Sequence, residues 1–325
     1  MQEQRPSGQM IVSLASLRGL AAIAVLGHHF APLLGGVRVF NRGFLGVDLF
    51  FMLSGFILTK VYKEAVHFRS FFVARIARTY PLHLLMLIVL LPSLGRTKEF
   101  SAMSLLCNLT MTQVVCGGPH SWNVVSWSLS AEWISYLLFP LLLEPVLRCP
   151  RWIAGLLIVG CMAALIAVSP ITKYDVYGMG ALGRSLPEFL LGMILFRAYR
   201  KRWLAHWTCF LGAIVALLSA LLTQAPDIVI LSAFAVIILA SPYAKIMEHR
   251  ILRFLGEVSY SLYMSHLLVG IAVVTAMIAV GIKNTLEIAA VALAASISSA
   301  FFLYRYVEMP ARSAIRNWMS ARAPE

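Results

Sequence analysis

With 325 residues, 60% of them hydrophobic and only 13% charged, the chain falls far below the roughly 25% charged residues of a soluble domain, which excludes a soluble globular class. The net charge of +13 would suit a nucleic-acid binder, but the Lys and Arg residues gather in short loops between apolar runs, and this excludes nucleic acid as the partner. The chain reads as an all-α protein, a polytopic bundle of about ten transmembrane helices.

A span needs about 20 mostly apolar residues. Ten runs qualify, near 11–34, 43–62, 79–95, 129–147, 152–169, 182–198, 207–223, 227–243, 257–281 and 285–306. The stretch 100–116 is moderately apolar but broken by Asn108 and several Thr and Ser, and reads as a short re-entrant or interfacial helix. With the N-terminus inside, nineteen Lys and Arg fall on the cytoplasmic side, and the outer loops hold seven: Arg38, Arg42, Arg96, Lys98, Lys173, Arg184 and Lys283. That excess predicts that both termini are cytoplasmic. The residues before the first span are polar with one basic residue, Arg5, unlike a cleavable signal peptide. Residues 1–325 are expected to form a single transmembrane domain with no appended soluble domain. Cys107, Cys116, Cys149, Cys161 and Cys209 form no CxxC and have no His at ligand spacing, so no metal is expected. They read as thiols packed in the membrane, with a Cys107–Cys116 bridge in an outer loop as the alternative.

The first span carries Arg18 and His29. Eleven steps of about 100° end only about 20° past three full turns, so the two side chains share one stripe of the helix, while His28 lies about 80° away. Ionisable groups inside a bilayer are expensive and mark functional sites or wet cavities. The Cα atoms are about 16 Å apart, so Arg18 is no direct partner of His29 and suits an anion arriving from the cytoplasm. Asp48 enters the second span at the same depth as His29 and is expected to orient the imidazole and fix its tautomer.

In the next cytoplasmic segment Arg75 and Arg78 stand three residues apart on one helical face, suited to phosphate groups such as those of a coenzyme A thioester, or else to anionic lipid. The fourth span opens on Trp127-Ser128-Leu129-Ser130-Ala131-Glu132, where Ser128 or Ser130 would cap the helix and Glu132 would sit in its first turn. A competing role for Glu132 is acceptor binding. Ser259, Tyr263 and His266 form one polar stripe near the start of the ninth span, with Tyr260 beside it.

Together these segments resemble the integral-membrane acyltransferase family 3. The likeness runs from about residue 11 to residue 312 and rests on Arg18 and His29, the run Gly46-Val47-Asp48-Leu49-Phe50-Phe51-Met52-Leu53-Ser54-Gly55-Phe56, Arg75 and Arg78-Thr79-Tyr80-Pro81, the Trp127–Glu132 segment, Ser259–His266, and Glu308-Met309-Pro310. It implies acyl transfer, often of acetyl, to sugars and other hydroxylated acceptors. It also implies that His29 is the essential residue and that Arg18, Arg75 and Arg78 serve the donor. Ala74 stands where the family often has a second adjacent Arg, so fewer donor contacts are expected there. No esterase-like domain is expected after the last helix, which looks like the stand-alone type associated with exopolysaccharide, lipopolysaccharide or Nod-factor modification, and with some macrolide acylations.

The expectation is therefore an acetyl-CoA-dependent O-acetyltransferase of the bacterial inner membrane, bathed in lipid and acting on a carbohydrate or glycolipid acceptor. His29 is the general base with Asp48 beside it; Ser128, Glu132, Tyr260, Tyr263 and His266 are the acceptor-side candidates, with either tyrosine hydroxyl a candidate donor to the oxyanion. A covalent acyl-His is an alternative route. A proton-coupled transporter or translocator of an acyl or glycan-related substrate would place His, Asp and Arg similarly, but it leaves the basic cytoplasmic helix unexplained.

Overall fold

In an apolar run the backbone finds no water to bond, so each N–H and C=O must be satisfied within its own segment, which a helix achieves. The computed structural model of the protein describes residues 7–94, 101–116, 121–172 and 178–320, and among these there are helices, turns and no strand. The helices are α1 (Ser7–Phe30), α2 (Gly46–Tyr62), α3 (Phe68–Leu94), α4 (Ala102–Leu109), α5 (Trp127–Arg148), α6 (Arg151–Thr172), α7 (Gly178–Arg200), α8 (Trp207–Thr223), α9 (Asp227–Ala240), α10 (Arg250–Ala279), α11 (Thr285–Leu303) and α12 (Met309–Ser320).

Each of the ten expected spans falls on one of these helices. Seven helical stretches are long and apolar enough to cross a membrane among the described residues, and α8 and α9 are apolar but shorter. The stretch around 100–116 holds only α4, whose eight residues are too few to cross. Two readings need correction. Cys107 and Cys116 are joined in a disulfide that closes the chain on itself just after α4, so they are not packing thiols. Arg184 lies inside α7 and is buried, so it does not belong to an outer loop. Of the charges used for topology, Arg5, Arg96, Lys98, Lys173 and Arg322 lie outside the described residues.

The helices group into two compact units. The first comprises the described residues of Met1–Lys63, Leu141–Lys173 and Gly183–Ser259. Within it α1 packs on α2 and on the 3-10 turn Arg38–Leu45 that joins them. Lipid tails are as apolar as leucine, so helix pairs gain stability from close backbone approach and dispersion, which small residues permit. Gly55 of α2 sits on the Phe189 carbonyl and Gly192 of α7 on the Met52 carbonyl, each so close that an added methyl would collide. Leu53, Phe56, Phe189 and Met193 are fully buried around this contact. Asp48 meets Arg184 nearer the start of both helices, so α2 and α7 run in the same direction. An additional crossing at 100–116 would reverse α7, so this pairing fits an α4 that does not span. Arg42 forms an ion pair with Asp227 and reaches the Gln224 carbonyl at 3.3 Å, tying the Arg38–Leu45 turn to the α8–α9 corner.

The second unit comprises the described residues of Glu64–Pro140, Tyr174–Leu182 and Tyr260–Glu325. Here Phe71 of α3 stacks on Phe139 of α5 at 5.3 Å. Residues 101–116 and 121–126 are pinned by polar bonds: His83 Nε2 to the Asn108 carbonyl at 2.8 Å, Trp122 Nε1 to Ser104 Oγ at 2.9 Å, and Asn123 Nδ2 to the Met264 carbonyl at 2.8 Å. The π turn Tyr304–Glu308 leads α11 into α12, which packs on α3.

Candidate functional site

In the first unit, His29 lies in the last turn of α1 with its ring exposed. Its Nδ1 is 3.0 Å from the Val25 carbonyl. A carbonyl oxygen only accepts, so Nδ1 carries the hydrogen and the neutral ring has its lone pair on Nε2. The neighbouring His28 is held in the same tautomer by the Phe40 carbonyl at 3.0 Å. The His28 ring meets the His29 ring edge-on at 5.4 Å and the Phe44 ring at 5.4 Å. The Arg184 guanidinium in turn lies 5.3 Å over Phe44. A line of contacts thus runs from His29 through His28 and Phe44 to Arg184.

Asp48 is 1% exposed, and both its oxygens accept from Arg184, one from Nε and one from Nη2. This is the bidentate fork that arginine and carboxylate form best. The expected pairing of Asp48 with His29 is therefore not formed: the guanidinium takes the carboxylate, and the backbone of α1 orients the imidazole. One turn along α7, Glu188 is fully buried beside the Asp48 carboxyl, with Oε1 at 3.9 Å from Arg184 Nε and neither oxygen accepting from an N–H or O–H donor among the described residues. Asp48, Arg184, Glu188 and Asp227 line a cavity of about 260 Å³ whose other walls include Leu45, Leu165, Val168, Pro226, Ile228 and Leu231. Arg18 is buried in α1, with its guanidinium 5.2 Å over the Phe50 ring.

In the second unit, Arg75 and Arg78 are half-buried and lie in the opening turns of α3, helical rather than a separate amphipathic segment. Arg75 lies 5.9 Å over Phe71 and 5.7 Å over Tyr136, and its buried Nε has no hydrogen-bond partner. Arg312 of α12 is in the electrostatic field of Arg75, Arg78 and Arg316, with Glu308 the opposing charge. Tyr304, Met309, Arg312, Ser313, Arg316 and Asn317 line a cavity of about 520 Å³. The fully buried Tyr136 has Glu132 beside it, so Glu132 faces the arginine-bearing side of this unit.

The acceptor-side candidates Ser128, Tyr263 and His266 form a bonded set. Ser128 Oγ is 2.8 Å from the Tyr263 hydroxyl, which donates to the Val125 carbonyl at 3.0 Å, and His266 Nδ1 is 2.8 Å from the Tyr263 carbonyl. Tyr260 donates its hydroxyl hydrogen to the Thr79 carbonyl at 2.5 Å. Both tyrosine hydroxyls are thus engaged on backbone carbonyls, and neither is presented as an oxyanion donor in this arrangement. Neither serine caps α5: the helix begins at Trp127 off a 3-10 turn, Ser128 bonds Tyr263, and Ser130 Oγ accepts from the Val114 amide at 3.2 Å. Glu132 accordingly lies beyond the first turn.

Sequence reasoning missed Arg184, Glu188, His28, Arg312 and Arg316. Arg184 and Glu188 are an i, i+4 pair inside an apolar run, the same signal that singled out Arg18 and His29. Arg312 and Arg316 are also i, i+4, on a helix whose charge the sequence assigns only to topology.

The family described as an acyltransferase domain matches residues 11–305. Acyltransferase MdmB of Streptomyces mycarofaciens is 32% identical over 50% of this chain and 46% of its own length. The candidate acetyltransferase ORF330 of Acidianus two-tailed virus is 27% identical over 78% of this chain and 82% of its own. Peptidoglycan O-acetyltransferase OatA of Listeria monocytogenes is 31% identical over 26% of this chain and 14% of its own. The chain thus aligns with about half the length of MdmB and a small part of OatA. No solved structure matches. With the acyltransferase domain matched from residue 11 to residue 305 in a multi-pass helical protein, the chain belongs to acyltransferase family 3.

Proposed function

We propose that the protein is an O-acetyltransferase of the bacterial inner membrane that moves acetyl from cytoplasmic acetyl-CoA to a hydroxyl of a sugar, polysaccharide precursor or glycolipid. The observation that carries this reading is the His29 imidazole: exposed, held by Val25 on Nδ1, and so with its lone pair on Nε2. The likeness to a peptidoglycan O-acetyltransferase supports a glycan hydroxyl as acceptor. Both termini are cytoplasmic in this proposal. The Cys107–Cys116 disulfide supports that orientation, since disulfides persist on the oxidising side of a membrane.

Each residue has a role set by its surroundings. His29 Nε2 takes the proton of the acceptor hydroxyl as its oxygen attacks the thioester carbonyl, and afterwards returns that proton to the departing coenzyme A thiolate. Acetyl-CoA supplies the acyl carbon, the thiolate leaving group and the phosphates. Arg75, Arg78, Arg312 and Arg316 suit those phosphates in number and chemistry, since guanidinium forks bind phosphate bidentately. Arg18, about 16 Å below His29 on α1, meets a further anionic group of the donor. Asp48 fixes Arg184 instead of touching the imidazole. Ser128, Glu132, Tyr263 and His266 hold their part of the second unit in place, Tyr260 does so through Thr79, and contact with the acceptor follows for whichever of them the glycan reaches.

The test uses inner-membrane vesicles given acetyl-CoA labelled on its acetyl group. Label that mild alkali releases from envelope glycans or lipids is expected with the unmodified chain and absent with His29→Ala. Full labelling by His29→Ala would overturn the assignment of the base, and no labelling by the unmodified chain would overturn the donor or the acceptor.

A further inference from the structure

The cavity among α2, α6, α7 and α9 holds a buried carboxyl that the proposed reaction does not use. Its polar inventory is nearly closed. Asp48 is engaged on Arg184, and Asp227 is engaged on Arg42. What remains is Glu188, fully buried and lining the cavity beside the Asp48 carboxyl, with neither oxygen accepting from an N–H or O–H donor among the described residues. Buried polar atoms are nearly always satisfied, and one left without a partner asks for an explanation. A ligand that donates hydrogen bonds is the explanation the geometry favours.

The ligand's character follows from the walls. Arg184 stands 3.9 Å from Glu188, so a cation entering here meets a guanidinium already in place. An anion meets three carboxylates, Asp48, Glu188 and Asp227. A neutral donor, the hydroxyl group, satisfies Glu188 without either repulsion. The other walls, Leu45, Leu165, Ile166, Val168, Pro226, Ile228 and Leu231, suit the C–H faces of a ring. A volume of about 260 Å³ falls just below the roughly 300–1,000 Å³ of pockets for drug-sized ligands, and it suits one sugar ring rather than an oligosaccharide.

Position links this cavity to the chemistry. Its lining residues come from the ends of α2, α6, α7 and α9 that the proposed topology puts outside, the same side as His29. Phe44 packs against Arg184 on one side and His28 on the other, and His28 meets His29. We infer that this cavity is the subsite for a single sugar ring of the acceptor, with Glu188 accepting hydrogen bonds from ring hydroxyls and Arg184, braced by Asp48, forming the polar wall. This rests on the acetyltransferase reading above and adds a place and a residue to it.

The test is a binding measurement independent of transfer. The purified full-length protein in nanodiscs is titrated with methyl β-glucoside, methyl β-galactoside and methyl N-acetyl-β-glucosaminide, followed by saturation-transfer NMR. At least one glycoside is expected to bind saturably. Glu188→Gln, which keeps the size but weakens the acceptor, is expected to weaken binding by about tenfold. Ile228→Trp, which fills the cavity from its half-buried rim, is expected to abolish it, so a second variant carries the test if Glu188→Gln does not fold. His29→Ala is expected to keep glycoside binding while losing transfer. Binding unchanged in both cavity variants, or no binding of any of the three glycosides into the tens of millimolar, overturns the subsite. Transfer retained by His29→Ala overturns only the reaction assignment.

Discussion

The two units treat charge in opposite ways. In the first, carboxylate and guanidinium meet inside the protein: Arg184 on Asp48 and Arg42 on Asp227, with Glu188 one turn further along from Arg184. In the second, Arg75, Arg78, Arg312 and Arg316 share a field with Glu308 and Glu132, four cations to two carboxylates. Matched charge in a low-dielectric interior is rigid and recognises what can still donate a hydrogen bond. Excess charge on half-buried and exposed arginines is suited to an anion. Under the proposed function, the contrast would divide the labour of acyl transfer, with the hydroxyl compound in one unit and the phosphate-bearing donor in the other.

The largest effect that would break this comparison is on stability. Arg184→Ala leaves Asp48 and Glu188 buried with no guanidinium, and losing one partner of a buried pair costs about 3–5 kcal/mol. Thermal unfolding in detergent should show a strongly lowered midpoint, and the double variant Asp48→Asn/Arg184→Met should recover most of it. An Arg184→Ala protein as stable as the parent would mean that the first unit is not internally matched.

The next effect is on function, not stability. Arg312→Ala/Arg316→Ala removes two cations from the second unit, where charge is in excess, so folding should be nearly unaffected. Apparent affinity for acetyl-CoA should fall roughly tenfold, as for loss of a charge-assisted hydrogen bond in a partly solvated site. The salt dependence of the apparent KM should shrink with it, while kcat changes little. Loss of stability without loss of donor affinity would put these arginines in a structural role.

How much of this the sequence could carry depends on which link in the chain is asked for. Helices were legible because hydropathy alone demands them. The stripe of Arg18 and His29 follows from helix geometry. Partner choice does not. Asp48 is at the depth of His29 by counting, but the carboxylate goes to an arginine 136 residues away, brought there by the close approach of Gly55 and Gly192. Ser128 looked like a cap because caps are local; it bonds Tyr263, 135 residues on, which local spacing cannot reveal. Cys107 and Cys116 pair only because the turn after α4, with Met111 at a positive φ of 55°, folds them together.

The smallest effect concerns that distant serine. Polar bonds between helices in lipid are worth about 0.6 kcal/mol on average and at most about 1.7 kcal/mol, because the alternative states also find partners. Ser128→Ala removes one bond to Tyr263, yet the Tyr263 hydroxyl keeps the Val125 carbonyl at 3.0 Å, so no buried group is orphaned. The loss should therefore stay near 0.5 kcal/mol, a shift of a degree or two in the unfolding midpoint. Tyr263→Phe is the harsher change, since Ser128 then retains only Val125 at 3.1 Å and the set linked to His266 loses its central hydroxyl. If Ser128→Ala instead abolishes transfer while leaving the midpoint in place, the serine touches the acceptor, and the second unit recognises hydroxyls as well as phosphates.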